Sequence, residues 1–287
     1  MDNLKTRTPD FAGSWYPAKE SDCRKVIAEF SKVAISCPLT GRKPLGGIVP
    51  HAGWFYSGKI AFNVIKCLAA DVSPDTVVIF GRHLHPGGRN YIMKEGRWLT
   101  PLGDLEIDLE LAEKLIERFP FVVETDSRHE QDNTIELQLP FIKHFFPEAK
   151  IMPVGVPPTM ASLAIGESVG EISEMMGRRV LILGSTDLTH YGDNYGYAPK
   201  GRGPEAVQWV KKENDRRVID LMLKMDAQRV IEESLTNYNA CCSGAVATAI
   251  TAARRLGAKQ GFELVYATSY DTRPDSSFVG YVGIMFM

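Results

Sequence analysis

The sequence predicts a single-domain α/β protein with a mostly parallel central sheet and helices on both faces. Three observations carry that prediction. Short β-branched runs alternate with helical patterns along most of the chain, as in βαβ units rather than in a sandwich. The strongest run, Thr76-Val77-Val78-Ile79-Phe80, is continuously apolar between Pro74 and Gly81, the pattern of a strand buried on both faces. At 287 residues the chain is long enough to bury one substantial core, and no repeat, low-complexity tract or linker divides it, so 1–287 reads as one unit.

Taken in order, Gly47–Val49 reads as the first strand. A helix from Lys59 follows, marked by Ala61, Ile65 and Leu68 at helical spacing, with Ser57 as its N-cap. Thr76–Phe80 is the second strand, and Leu109–Arg118 a helix. Phe121–Val123, Ile151–Val154 and Val180–Leu183 are further strands, separated by helices over Ile135–Phe145 and Ser162–Met176. Arg217–Met225 and Ala245–Leu256 read as helices, and Phe262–Ala267 and Phe278–Phe286 as closing strands. Tyr197–Pro204, rich in Pro and Gly, reads as one surface loop.

Composition excludes several classes of function. Lys and Arg total 33 against 35 acids, for a net charge of −2, and there is no basic block, so nucleic acid is not an expected partner. Met1–Ala18 is polar and lacks the apolar stretch of a signal peptide. Ala61–Ala70, among the longest apolar stretches, is interrupted by Asn63 and Lys66 and falls short of the ~20 residues of a membrane span. A cytoplasmic protein away from membranes is the expectation. Five cysteines form an odd, low count without framework spacing, which predicts reduced thiols rather than disulfides. Cys23, Cys37 and Cys67 read as small buried hydrophobes.

Ligands of parallel sheets bind beyond the carboxyl ends of the strands, and histidines collect there. His51 follows the first strand in Pro50-His51-Ala52-Gly53. His83 and His85 follow the second in Gly81-Arg82-His83-Leu84-His85, and Asp187 and His190 follow the strand Val180–Leu183. A loop histidine is commonly solvated and idle, but small flanking residues let backbone and ligand approach these closely. His144, within an apolar helix, reads as a packed or surface residue. Cys242, in Cys241-Cys242-Ser243-Gly244, precedes an apolar helix, where a thiolate is favoured; on spacing alone it is equally a ligand or a packed side chain. Two histidines and one anionic group leave coordination positions open, as in non-haem Fe(II) oxygenases with a carboxylate or copper centres with a thiolate. His129 and Glu136 flank Asp132 and Asn133, one of which is a helix N-cap, and either hydrogen-bond the residues that hold the metal or face solvent. Arg82 and Arg89 read as solvated loop charges. Nucleotide, serine-hydrolase and structural-zinc motifs are missing.

These blocks resemble the Memo family, whose fold is similar to that of the class III extradiol dioxygenases. The resemblance runs through Ala12-Gly13-Ser14-Trp15-Tyr16-Pro17, Val49-Pro50-His51-Ala52-Gly53, Tyr56-Ser57-Gly58, Thr100-Pro101-Leu102-Gly103-Asp104 and Ile135-Glu136-Leu137-Gln138-Leu139-Pro140-Phe141. It continues in Ser185-Thr186-Asp187-Leu188-Thr189-His190-Tyr191 and Asp275-Ser276-Ser277-Phe278-Val279-Gly280-Tyr281. The resemblance implies a metal site at His51, His85 and Cys242. The family's GPxH loop is out of register here; His85 is preferred with a one-residue insertion, and His83 is the rival. The histidine of the family's EHSIE segment is replaced by Asn133, so His129 becomes the candidate substitute for proton transfer.

The function so implied is a metal-dependent oxidoreductase using Fe(2+) or copper, with His190 as acid/base and Asp187 orienting it. A thiolate ligand argues against ordinary catechol cleavage. The alternative is a non-catalytic module that binds metal or a peptide, acting with the radical-SAM and AMMECR-like proteins that accompany microbial relatives.

Overall fold

The computed structural model describes residues 5–37, 43–70 and 72–287. The first four residues of the polar N-terminal segment therefore lie outside the described part. The centre of the molecule is a sheet of nine strands. Its middle is four parallel strands in the spatial order Gly46–Val49, Val180–Ser185, Thr76–Gly81 and Lys150–Gly155. The margins are mixed. Phe278–Phe286 runs antiparallel to Gly46–Val49 on one side, and Tyr91–Met93 antiparallel to Lys150–Gly155 on the other. A separate small sheet joins Thr6–Arg7, Arg97–Thr100 and Gly103–Glu106.

Alternation along the strands explains why helices cover both faces. Val78 and Phe80 point into one core with Met152, Val154 and Ile182, whereas Val77 and Ile79 point into the other with Ile151, Leu181 and Leu183. The first core is roofed by Met160–Met175 and Ser243–Arg255, the second by Lys59–Ala69 and Leu139–Phe145. Leu109–Arg118 starts where expected because the Asp108 carboxylate accepts from the Leu111 N–H at 3.2 Å.

Two expected helices differ in instructive ways. Ser57 does not cap the helix from Lys59. A single π-helical turn, Trp54–Gly58, leads into it, and the Ser57 hydroxyl donates to the Ala52 carbonyl at 2.9 Å. The helix expected over Ile135–Phe145 is broken into Asn133–Glu136 and Leu139–Phe145. Pro140 has no N–H to bond back to Glu136, and the carbonyl of Leu137 instead accepts from the Trp54 indole at 3.1 Å.

The expectation of reduced thiols fails for Cys37 and Cys67, which form a disulfide with their Cα atoms 5.3 Å apart. The segment after helix Glu20–Lys32 is laid along helix Lys59–Ala69 by two bonds. Ile35 N–H donates to the Asn63 side chain at 3.0 Å, and Lys66 donates to the Ile35 carbonyl at 3.3 Å. Spacing in the sequence contains nothing of that docking. No helix among the described residues is long and apolar enough to cross a membrane.

Candidate metal centre

Three neighbouring parallel strands deliver the site. Gly46–Val49, Val180–Ser185 and Thr76–Gly81 end on one edge of the sheet, and His51, Asp187 and His83 follow them directly. Helix Ser243–Arg255 begins at the same edge, with Cys242 as its N-cap residue. His51, His83, Cys241 and Cys242 thereby bring four donor atoms within 4.8 Å of one another.

His51 is the fixed member, 1% exposed. Its backbone N–H donates to the Asp187 carboxylate at 2.7 Å, and its carbonyl accepts from Asn133 at 3.0 Å. The Ser185 hydroxyl gives its own proton to the Thr134 carbonyl at 2.7 Å, so it accepts from Nδ1–H of His51 at 2.9 Å. Nε2 is left to face the cluster, 3.1 Å from Nε2 of His83 and 3.3 Å from Sγ of Cys241. Such a locked tautomer is what a metal-ligating imidazole needs.

His83 owes its direction to the residue before it. Arg82 adopts φ +80°, left-handed backbone that a non-glycine residue rarely takes, and its N–H donates to Thr134 Oγ1 at 2.7 Å. Its guanidinium is not a solvated loop charge. It lies over the Tyr91 ring at 3.8 Å and pairs with Glu124 at 3.1 Å, Glu130 at 3.3 Å and Asp132 at 3.7 Å. Gly81 allows this close approach, because a Cβ there would meet Thr134 Oγ1 at 2.2 Å.

Charge is concentrated at the centre. Burial works against a protonated His51, but Asp187 and Cys241 outweigh it and push its pKa up to about 9. Burial raises the Cys241 thiol, yet the Cys242 thiol and the His51 ring hold it well below the usual thiol range. Cys242 is pushed up by burial and by its neighbour, so it is the thiol that keeps its proton. A protonated His51 ring and an ionised Cys241 thus each favour the other.

The remaining candidates are placed as follows. His85 is outside the donor cluster; it is exposed, its Nδ1 accepts from the Gly87 N–H at 3.1 Å, and its ring lines a cavity of about 600 Å³. Cys241 and His190 line the same cavity. His190 donates from Nδ1 to the Leu188 carbonyl at 3.1 Å and stands edge-on to Tyr195, with ring centroids 5.0 Å apart. Its Nε2 is therefore the free nitrogen. Asp187 is buried, and burial raises its pKa against the pull of His51. His129 bonds Thr125 and pairs with Asp10 at 3.4 Å; none of its partners belongs to the donor cluster. Glu136 is also structural. Its buried carboxylate accepts from the N–H groups of Asp10 and Phe11, both at 2.8 Å, and from the Tyr16 hydroxyl at 2.9 Å.

That last contact joins two of the sequence blocks through one carboxylate, and comparison with known proteins places both in a family. The model of the Memo-like protein family matches residues 7–285. A MEMO1 family protein of Pyrococcus abyssi is 35% identical over 289 residues, covering 97% of this chain and 98% of its own. One from Thermococcus kodakarensis is 34% identical, covering 98% and 99%. The chain belongs to the Memo family. An uncharacterized protein of Escherichia coli K12 shares the fold at a TM-score of 0.50 and 9% identity, covering 79% of this chain and 91% of that one.

Within this Memo chain the geometry brings His83, and not His85, up to His51, and sets Cys241 beside Cys242. Neither was settled by motif register. The left-handed turn at Arg82 brings Nε2 of the nearer histidine, itself exposed, against His51, and of the tandem thiols Cys241 is the one in contact with His51. Ser185 and Thr134, which fix the His51 tautomer, were missed; a serine ending a buried strand is the only sequence signal for them.

Proposed function

We propose that the chain holds a metal ion at His51, His83 and Cys241 and acts as a metal-dependent oxidoreductase on a small molecule in the adjoining cavity. The observation that carries this reading is the placement of Cys241 in the wall of a cavity of about 600 Å³ that also receives His190. A thiolate and two imidazoles form a soft donor set that suits copper better than iron(II) within the pair expected from the family resemblance. When bound, the ion supplies Lewis-acid and electron-transfer chemistry. The chain's own groups do the rest. Ser185 orients His51, the free Nε2 of His190 accepts or returns a substrate proton, and Asp187 favours positive charge on the His51 ring. Tyr195 and Tyr238 give the cavity aromatic walls, so a planar, largely uncharged molecule fits it best.

A second reading has support in the rim. Tyr238 is 66% and Leu235 44% exposed at the cavity mouth, apolar surface suited to a peptide or to the radical-SAM and AMMECR-like partners. The deciding experiment is anaerobic purification with metal analysis, followed by oxygen consumption of the iron- and copper-loaded protein across a phenol and catechol panel. Metal uptake with turnover that His190→Ala abolishes is the expected result. Uptake without turnover on any substrate would leave the binding-module reading, and lack of uptake would sink the metal-dependent one.

A further inference from the structure

The loop after strand Thr76–Gly81 walls two cavities. Its residues 84–86 border the one that Cys241 lines, and its residues 88–90 border a second, of about 500 Å³, which none of the four donor residues lines. That volume lies within the range of about 300–1,000 Å³ found for small-molecule sites. Its walls are largely apolar. Phe119 and Phe121, between helix Leu109–Arg118 and strand Val122–Glu124, pack against the first core yet stay only half-buried, and Ile165 of helix Met160–Met175 completes the apolar lining. The polar side chains around the cavity are engaged, with one exception. The Asn90 amide donates to the Pro120 carbonyl at 3.1 Å. The Ser162 hydroxyl donates to the Pro157 carbonyl at 2.6 Å, so the Thr159 hydroxyl donates to Ser162 Oγ at 3.0 Å. No Asp or Glu among the described residues lines the cavity.

Arg89 is the exception. It is exposed, and among the described residues its guanidinium makes no hydrogen bond, ion pair or ring contact. The nearby Arg118 shows the contrast, being committed to Ser168 at 3.3 Å and Glu171 at 2.8 Å. We infer that this second cavity binds a small carboxylic acid with a large apolar body, its carboxylate paired with Arg89 and its body covering Phe119, Phe121 and Ile165. Charge and surface together select that class. A bare phosphate or sulfate would leave the apolar walls in water, and a neutral hydrocarbon would make no use of the guanidinium, whose planar fork matches a carboxylate. The site stands whether or not the centre holds an ion, since the two share no residue.

The test is calorimetric titration of the full-length chain with 4-phenylbutyrate, with decanoate as an aliphatic counterpart, and with the neutral 4-phenylbutyramide. The wild type is expected to bind 4-phenylbutyrate about tenfold more tightly than the amide, the discrimination usual for a hydrogen bond to a charged group. Arg89→Gln should remove that preference and leave the affinity for the amide unchanged. Ala161→Trp, which sets a large side chain on an exposed wall position, should abolish binding of both probes. Tyr238→Ala, in the wall of the other cavity, should alter neither. Failure of 4-phenylbutyrate and decanoate to bind the wild type overturns the assignment, as does equal affinity of the wild type for acid and amide. A preference for the acid that survives Arg89→Gln overturns it too, and so does binding lost with Tyr238→Ala but kept with Ala161→Trp. Should Ala161→Trp fail to fold, Arg89→Gln and Tyr238→Ala decide alone.

Discussion

Ser185 Oγ stands 2.9 Å from His51 Nδ1 while its own proton is committed to the Thr134 carbonyl, so one hydroxyl decides which imidazole nitrogen faces the metal donors. Ser185→Ala removes that decision and leaves both partners without it. The expected outcome is a 10- to 100-fold loss of metal affinity, the size usual for outer-shell partners of a ligating histidine, with the fold retained at a cost of about 1–3 kcal/mol. Calorimetric metal titration beside a thermal melt checks both; unchanged affinity would remove the tautomer lock from the account.

His83 and His85 form an internal control two residues apart. His83→Ala should weaken metal binding by more than the roughly 10- to 100-fold typical of an outer-shell loss, because a donor itself disappears. His85→Ala should leave affinity unchanged and alter only what the cavity accepts. Equal effects of the two variants in equilibrium dialysis would restore the alternative ligand.

Metal binding should strengthen as pH rises. The His51 pKa lies at about 9, so below that value an ion must expel the proton from Nε2 before it binds. One displaced proton makes affinity fall about tenfold for each unit of pH below 9 and level off above it. Titrations from pH 6 to pH 10 would expose the slope; a flat profile would mean that His51 is neutral in the metal-free protein.

Arg82 combines left-handed backbone with a buried guanidinium that answers Glu124 and Asp132. Arg82→Gly relieves a backbone cost of about 1–3 kcal/mol, but takes the guanidinium from the buried Asp132 and leaves Glu124 with Arg7 alone, a loss of about 3–5 kcal/mol. Net destabilisation is therefore expected, together with weaker metal binding through a loosened His83. A melting temperature equal to or above that of the wild type would show that the ion cluster contributes less than the strain.

The parallel centre of the sheet was legible in the sequence because each strand is a continuous apolar run, and Phe278–Phe286 could be bounded to the residue. Helices Glu20–Lys32 and Ala227–Asn237 were not recognised: their apolar residues are sparse, charge dominates the first and polar residues outnumber apolar ones in the second. The site was legible as a sheet edge carrying histidines, and His51 could be named from its strand. The choice between His83 and His85, and between Cys241 and Cys242, depends on side-chain direction. Direction is set by the positive φ of Arg82 and by the first turn of helix Ser243–Arg255, neither of which leaves a pattern in residue type.

The disulfide between Cys37 and Cys67 closes a loop of sequence separation 30 that contains His51, a constraint of about 3–4 kcal/mol on the unfolded chain. Its wider meaning is environmental. Surroundings oxidising enough to keep Cys37 and Cys67 joined also threaten Cys241 and Cys242, whose sulfurs lie 3.7 Å apart. A coordinated ion would then act as a preservative, tying up the Cys241 sulfur that peroxide or oxygen would otherwise reach and so denying Cys242 its disulfide partner. Metal-free protein left in air should lose these thiols sooner than loaded protein, as thiol titration over time would show; equal rates would mean that burial alone protects them.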